Sequence, residues 1–388
     1  MNKTTNTAHP QAVGHIHIDR VRVTGPLDHP ALGELFYKPY DDLGSCVPVG
    51  ASALSPKQKR NPAPDDIYLR STKIQSNGRA NELVMEFCPP QLLQDHNFFG
   101  HADIKDYVYV VFMQQTRKND VDVSSDHLKE WRLGEAGLSL VHLTGNFKIP
   151  HSAKDLIFDA IDANNPAGKH RDIPTCITLG FTEVRRSRHY MVTIYDKHAL
   201  LLKLWPNPDA DQQRILELAK GSIRIEIKIY DEGLKELGLQ YVMRWSQVDV
   251  DALFFKILAK FDLANTIQQT LTDDEIDDLL PAERRAYVLW LKGEDLSDHY
   301  HRCTIAKYRA RIKEATTIDI KAHRRPEPLP AVDFGEVLTP ENLVPIPAWA
   351  YGTKYYSAPG EVIGVKTEST ALRTPAPTDF EIRHPYWA

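Results

Sequence analysis

The chain has 388 residues, 42% hydrophobic and 26% charged, which suits a soluble core in one large domain or two. Its net charge of −5 excludes a uniformly basic surface, so any hold on nucleic acid must come from local patches. Cys46, Cys88, Cys176 and Cys303 lie far apart with no CxxC, which excludes a cysteine-rich zinc module and suggests reduced thiols in a cytoplasm. No apolar run reaches the roughly 18 residues of a membrane span, so no membrane partner is expected. P-loop, GxGxxG and GxSxG patterns are absent, against an ATP-driven helicase or a dinucleotide enzyme.

Residues 1–14 lack the apolar core of a signal peptide and read as a disordered leader. HIHIDRVRVTG then alternates, predicting a strand over 15–24. His15, His17 and Asp19 share one parity, yet Ile16, Ile18, Val21 and Val23 do not all fall on the other. Residues 39–66 are loop-rich. Two strands, 67–74 and 80–87, flank a turn at Ser76-Asn77-Gly78 and predict a hairpin. Asp103 is placed to cap a helix with Tyr107, Val108, Val111 and Phe112 inward. GLSLVHLTGNF predicts a strand over 138–147, and Ser152 with Asp155 a capped helix carrying Leu156, Ile157, Ala160 and Ile161.

CITLGFTEV is expected to pair with a strand over 190–197, with Arg185, Arg186, Arg188 and His189 near the turn. A strand over 221–230 puts Arg224, Glu226 and Lys228 on one face and four isoleucines on the other. From 185 to 228 there are nine Lys/Arg against five Asp/Glu, and from 301 to 325 eight against two. Residues 246–322 read as helical, with a helix-turn-helix-like pair in which Lys307, Arg309 and Arg311 face DNA. A small helical bundle with a solvated basic face fits the same pattern. Residues 323–388 read as a Pro-rich extended tail anchored by Trp349, Tyr351 and Tyr355.

The stretch RRSRHYMVTIYDKHAL carries the chemistry. If it is one strand, His189, Tyr195 and Lys197 share a face. A phenol with a reference pKa of about 10 is a weak nucleophile that a cation, metal or base can activate. An ammonium two residues on can hold charge building on a transferring phosphoryl group. An ordinary polar surface strand is the other reading of the same residues.

Ordered blocks turn that choice. SRHYMVTIYDKHALL, HNFFG (His96–Gly100) preceded by Glu86 and Pro89-Pro90, and SIRIEIKI followed by LKELGL resemble the phage/plasmid replication protein II/X family, over about residues 15–245. The resemblance implies an antiparallel sheet flanked by helices, an α+β fold like that of HUH nucleases, over 15–245. It also implies a rolling-circle initiator that nicks one strand of origin DNA, double- or single-stranded. Tyr195 would be the nucleophile, keeping a 5′ phosphate as a covalent ester, and Lys197 would assist. Glu86, His142 and Glu226 would hold a divalent ion, Mg2+ or Mn2+. Arg185, Arg186, Arg188 and His189 would grip backbone phosphates. Host helicase and polymerase would be partners in a bacterial cytoplasm. His15 and His17 form a His-hydrophobic-His pair like that of HUH enzymes, and their place in a metal site stays open. One departure stands out: the family's Arg-Ile/Val-Asp becomes Leu140-Val141-His142, and imidazole shifts ion preference toward manganese or zinc. An inactive origin-binding repressor and a mobilisation relaxase are the alternatives.

Overall fold

The computed structural model describes residues 14–39, 46–54, 67–151, 154, 157–158, 169–173, 175–180, 187–261, 263, 271–316, 320 and 334–360. The expected leader, Arg185 and Arg186, most of the helix after Ser152 and the tail beyond residue 360 lie outside the described residues.

Among the described residues ten strands form: β1 (His17–Pro30), β2 (Leu35–Pro39), β3 (Cys46–Ala51), β4 (Tyr68–Ile74), β5 (Arg79–Phe87), β6 (Gly137–Lys148), β7 (Lys169–Ile173), β8 (Cys176–Leu179), β9 (Tyr190–Tyr195) and β10 (Ser222–Tyr230). Eight of them make one sheet in the order β4-β5-β1-β6-β10-β9-β8-β7, with every pairing antiparallel. β2 and β3 pair separately. All six predicted strands are present. The first runs six residues further than expected, to Pro30, and the one expected over 190–197 stops at Tyr195. There Asp196 takes over as N-cap, its carboxylate accepting from the His198 backbone N–H, and Lys197 opens a helix instead of extending the strand.

Register decides the two faces, because directly opposed residues share one. Ile225 and Ile227 stand opposite Ile194 and Val192, and Ile227 and Ile229 opposite Leu143 and Val141. This apolar face is sealed by α2 (Ile104–Lys118), α3 (Ser125–Leu133), α6 (Asp231–Leu237) and α7 (Val250–Leu258). Asp103 caps α2 as expected, and Tyr107, Val108, Val111 and Phe112 point inward. Trp131 of α3 stacks on Phe112 at 4.1 Å between centroids and donates its indole N–H to the Pro26 carbonyl at 2.8 Å. Gly25 lies beneath it, and a Cβ there would sit 2.3 Å from the indole.

The opposite face is polar and also buried. Across it run Arg20 opposite His142, Thr144 opposite Glu226, His142 opposite Lys228, and Arg224 opposite Tyr195. Its cover is a second apolar cluster. Phe98 and Phe99 come from the turn after α1 (Pro89–Gln94), Leu201 from α4 (Lys197–Leu204), and Ile215, Leu216 and Ala219 from α5 (Ala210–Lys220). Ile346, Ala350, Tyr355 and Tyr356 of the C-terminal segment complete it. That segment is tied down by Tyr355, whose hydroxyl donates to Asp209 and whose carbonyl accepts from His96 Nε2.

A third cluster, including Tyr287, Leu296 and Ile312, holds together α8 (Asp273–Asp278), α9 (Pro281–Leu291) and α10 (Arg302–Thr316). The basic helix begins at Arg302, preceded by a single 3-10 turn, Leu296–Asp298, capped by Asp295.

Replacing Trp131 by Ala removes an aromatic pair and leaves a cavity over Gly25. The variant is expected to lose about 3–5 kcal/mol in urea unfolding. A loss within the ~0.5 kcal/mol of a neutral surface change would contradict this packing.

Candidate functional site

The site grows from a fault in one strand. Pairing of β1 with β6 slips between Ile18 and Arg20, so Asp19 is the extra residue of a bulge. The slip explains the broken alternation of this segment. It places Asp19 among the groups of the polar face. Asp19, His142 and Glu226, all buried, bring one ligand atom each to within 4.8 Å of one another.

The surrounding contacts are specific. His142 Nδ1 lies 2.7 Å from Glu226 Oε1. The Tyr195 hydroxyl donates to the other oxygen, Oε2, at 3.3 Å. Asp19 Oδ1 accepts from Arg224 at 2.8 Å, from the Asn97 amide at 2.8 Å and from the Cys88 thiol at 3.6 Å. Among the described residues, none donates to Asp19 Oδ2. Arg224 also donates to the Asn97 carbonyl, and its guanidinium stands 5.8 Å from the Tyr195 ring centroid. Lys197 Nζ donates to Asn97 Oδ1 at 2.6 Å.

Burial and charge compete at each titrating group. Burial pushes the Glu226 carboxyl up, but its contact with His142 and the Lys228 and Arg224 cations outweigh it and hold the group well below the usual carboxylate range. Burial lowers His142 against the pull of Glu226. Burial, and then Arg224, bring Lys197 down to about 8. Burial is also the main reason His17 falls to about 3, with Arg224 adding to it, and His96 falls to about 3, with its bond to Tyr355 opposing.

The residues expected from sequence divide accordingly. Tyr195, His142 and Glu226 meet, and Lys197 joins them through Asn97 from the first turn of a helix. The expected shared face of His189, Tyr195 and Lys197 does not form, because the strand holds only Tyr195 of the three. Glu86 stands apart from the cluster: its carboxylate is held by Arg22, its direct cross-strand partner, and by Arg20 at 3.3 Å. Asp19 occupies the acidic position proposed for it. His15 is exposed and pairs with Asp251, and His17 is buried outside the three-residue group.

Arg188 and His189 are exposed at the far end of β9, about 20 Å from Tyr195 at ~3.3 Å per residue, and His189 pairs with Glu236. On the helical module Lys307 is exposed, Arg309 is half-buried, and Arg311 is bound to the buried Glu283 at 3.2 Å. Sequence reasoning passed over Asp19 and Asn97. Their signals were the parity break after Ile18 and the second residue of the HNFFG block.

A donor set of two carboxylates and one imidazole, with an undonated Asp19 oxygen, fits a divalent cation. No described helix is long and apolar enough to cross a membrane.

Two outcomes test these electrostatics. Arg224→Leu strands the Asp19 carboxylate in the interior and is expected to cost about 3–5 kcal/mol of stability. The Asp19→Leu, Arg224→Leu double variant should recover part of that loss, and simple additivity would contradict the pairing. His96 is neutral in the fold but protonates near 6.5 when unfolded. Its contribution is therefore intact above pH 6.5 and declines as pH falls toward about 3, by up to ~1.4 kcal/mol per pH unit. His96→Gln should flatten the pH dependence of urea unfolding between pH 6.5 and 4; an unchanged slope would place the histidine's titration elsewhere.

Comparison with known proteins agrees with the ordered blocks. Residues 60–248 match the family model for the N-terminal region of the replication-associated protein of the phage gene II type. The replication-associated protein of that type from Enterobacteria phage I2-2 is 22% identical over 272 residues, covering 65% of this chain and 75% of that protein. Tyr195, His142, Glu226, Asn97 and Lys197 all fall inside the matched region, while Asp19 precedes it. These matches and the ordered motifs make the chain similar to the replication-associated proteins of the filamentous-phage gene II type.

Proposed function

We propose that the protein is a rolling-circle replication initiator that cuts and rejoins one strand of origin DNA through Tyr195. The observation that carries this reading is the Tyr195 hydroxyl, hydrogen-bonded at 3.3 Å to a carboxylate that belongs to the candidate cation-binding set of Asp19, His142 and Glu226.

Tyr195 Oη attacks the scissile phosphorus, the P–O3′ bond breaks, and the phosphate stays on the tyrosine as a 5′ ester. The phenolic proton leaves toward Glu226 Oε2, the acceptor it faces. Glu226 is held well below the usual carboxylate range and is a weak base, so the phenol or the phosphate has to be activated as well. A divalent cation held by Asp19, His142 and Glu226 would supply that activation by withdrawing charge from the phosphate oxygens. Lys197 and Arg224 add positive charge on the same side. The ester conserves the bond's energy, so a 3′ hydroxyl returning to phosphorus reseals the strand without ATP, and the free 3′ end meanwhile can prime a host polymerase opened to it by a host helicase.

Arg188, His189 and Lys307 are the exposed cations proposed for backbone phosphates, with Arg185 and Arg186 beside them in sequence. Glu86 is reassigned from cation ligand to a partner of Arg20 and Arg22. The burial of Tyr195, which is 5% exposed, means that DNA reaches it only after the cover of the polar face shifts. The same burial favours a second reading, an origin-binding protein that does not cut.

A labelled single-stranded origin oligonucleotide with Mn2+ separates the two. The cutting enzyme gives an SDS-stable adduct that Tyr195→Phe abolishes and Asp19→Asn reduces by about 100-fold or more, the scale of lost metal chemistry. Binding without any adduct supports the second reading, and equal adduct from Tyr195→Phe removes Tyr195 as nucleophile.

A further inference from the structure

Asn97 touches more of the site than any role in its own turn requires. Asparagines in turns ordinarily bond nearby backbone. Here the side-chain amide N–H reaches Asp19 Oδ1 at 2.8 Å and the amide oxygen takes the Lys197 ammonium at 2.6 Å, across 78 and 100 residues of sequence. The backbone carbonyl of the same residue accepts from Arg224. Both polar ends of one neutral side chain are therefore spent on charged groups of the cluster.

The consequence for Asp19 is geometric. Arg224, Asn97 and Cys88 all approach Oδ1, and Oδ2 receives no donor among the described residues. A carboxylate held by one oxygen cannot rotate to present it elsewhere, so the second oxygen keeps a fixed direction. Asn97 is itself fixed. His96 is bonded to the Tyr355 carbonyl at 2.8 Å, the Phe98 N–H to His96 Nδ1 at 3.1 Å, and the Phe98 carbonyl to the Asn146 amide. Phe98 and Phe99 are sunk in the second apolar cluster.

We infer that Asn97 is a positioning residue: it locks Asp19 with Oδ2 presented for a divalent cation and ties Lys197 to that same carboxylate, so that cation site and ammonium are set by one side chain. The inference rests on the cation-binding reading of Asp19, His142 and Glu226. Partners of metal ligands tune affinity without touching the ion, and their loss typically costs about 10–100-fold.

The test is a calorimetric Mn2+ titration of the full chain, with no DNA present. Wild type is expected to bind one ion, and Asp19→Ala to lose it. Asn97→Ala is expected to weaken Mn2+ binding of the folded protein by about 10–100-fold, together with a lower melting temperature, because it strips the buried Lys197 ammonium of its acceptor. Asn97→Ser, which keeps a polar group in the turn but cannot reach both partners, should weaken it equally and supplies the measurement if the alanine variant fails to fold. A merely structural asparagine would lower the melting temperature and leave the titration of folded protein unaltered, which overturns the inference alone. If wild type and Asp19→Ala titrate alike, the cation centre itself is absent and both readings fall.

Discussion

A carboxylate fixed by an arginine inside the sheet is the contact on which the rest depends. Asp19 and Arg224 are both essentially out of water, and an unpaired charge there would cost several kcal/mol. Their 2.8 Å contact joins β1 to β10, the first and last strands in chain order, across β6. It also recruits Asn97 from the turn after α1, and through Asn97 the Lys197 ammonium. A single buried ion pair thus sets the relative position of two strands, one turn and one helix start, and the candidate cation-binding groups sit on that frame.

Such a face is unusual in its cost. Four isoleucines of β10 stabilise the fold from one side by ordinary burial, while Arg224, Glu226 and Lys228 of the same strand are buried on the other. Alternating strands usually put such residues in water. Here the second apolar cluster covers them, so each charge has to be matched inside: Glu226 by His142 and the tyrosine hydroxyl, Asp19 by Arg224, Glu86 by Arg20 and Arg22. The matching keeps Glu226 ionised, and burial keeps His142 short of its usual basicity, the protonation states in which both bind a cation.

The cover ties distant sequence to the site. Tyr355, about 160 residues after Tyr195, carries the carbonyl that holds His96, and His96 neighbours Asn97. The C-terminal segment is in this way part of the wall behind the candidate centre. Opening it for a DNA strand would have to break the Tyr355 contacts to Asp209 and His96 together, which gives the described end of the chain a physical link to access.

Sequence alone determined what is local. Alternation located β1, β4, β5, β6, β9 and β10, Asp103 announced α2, and the ordered motifs singled out Tyr195, His142, Glu226 and the HNFFG turn, because strand periodicity, caps and motifs are written in adjacent residues. Lys197 was misplaced although Asp196 before KHALLL is itself a helix-start signal, since the strand pattern was carried two residues too far. Only the tertiary structure decided which acids meet. Arg22 stands opposite Glu86 and claims it, and a one-residue bulge delivers Asp19 in its place. Cross-strand register and a bulge are fixed by pairing between segments more than 60 residues apart, and no local pattern encodes which partner will be found there.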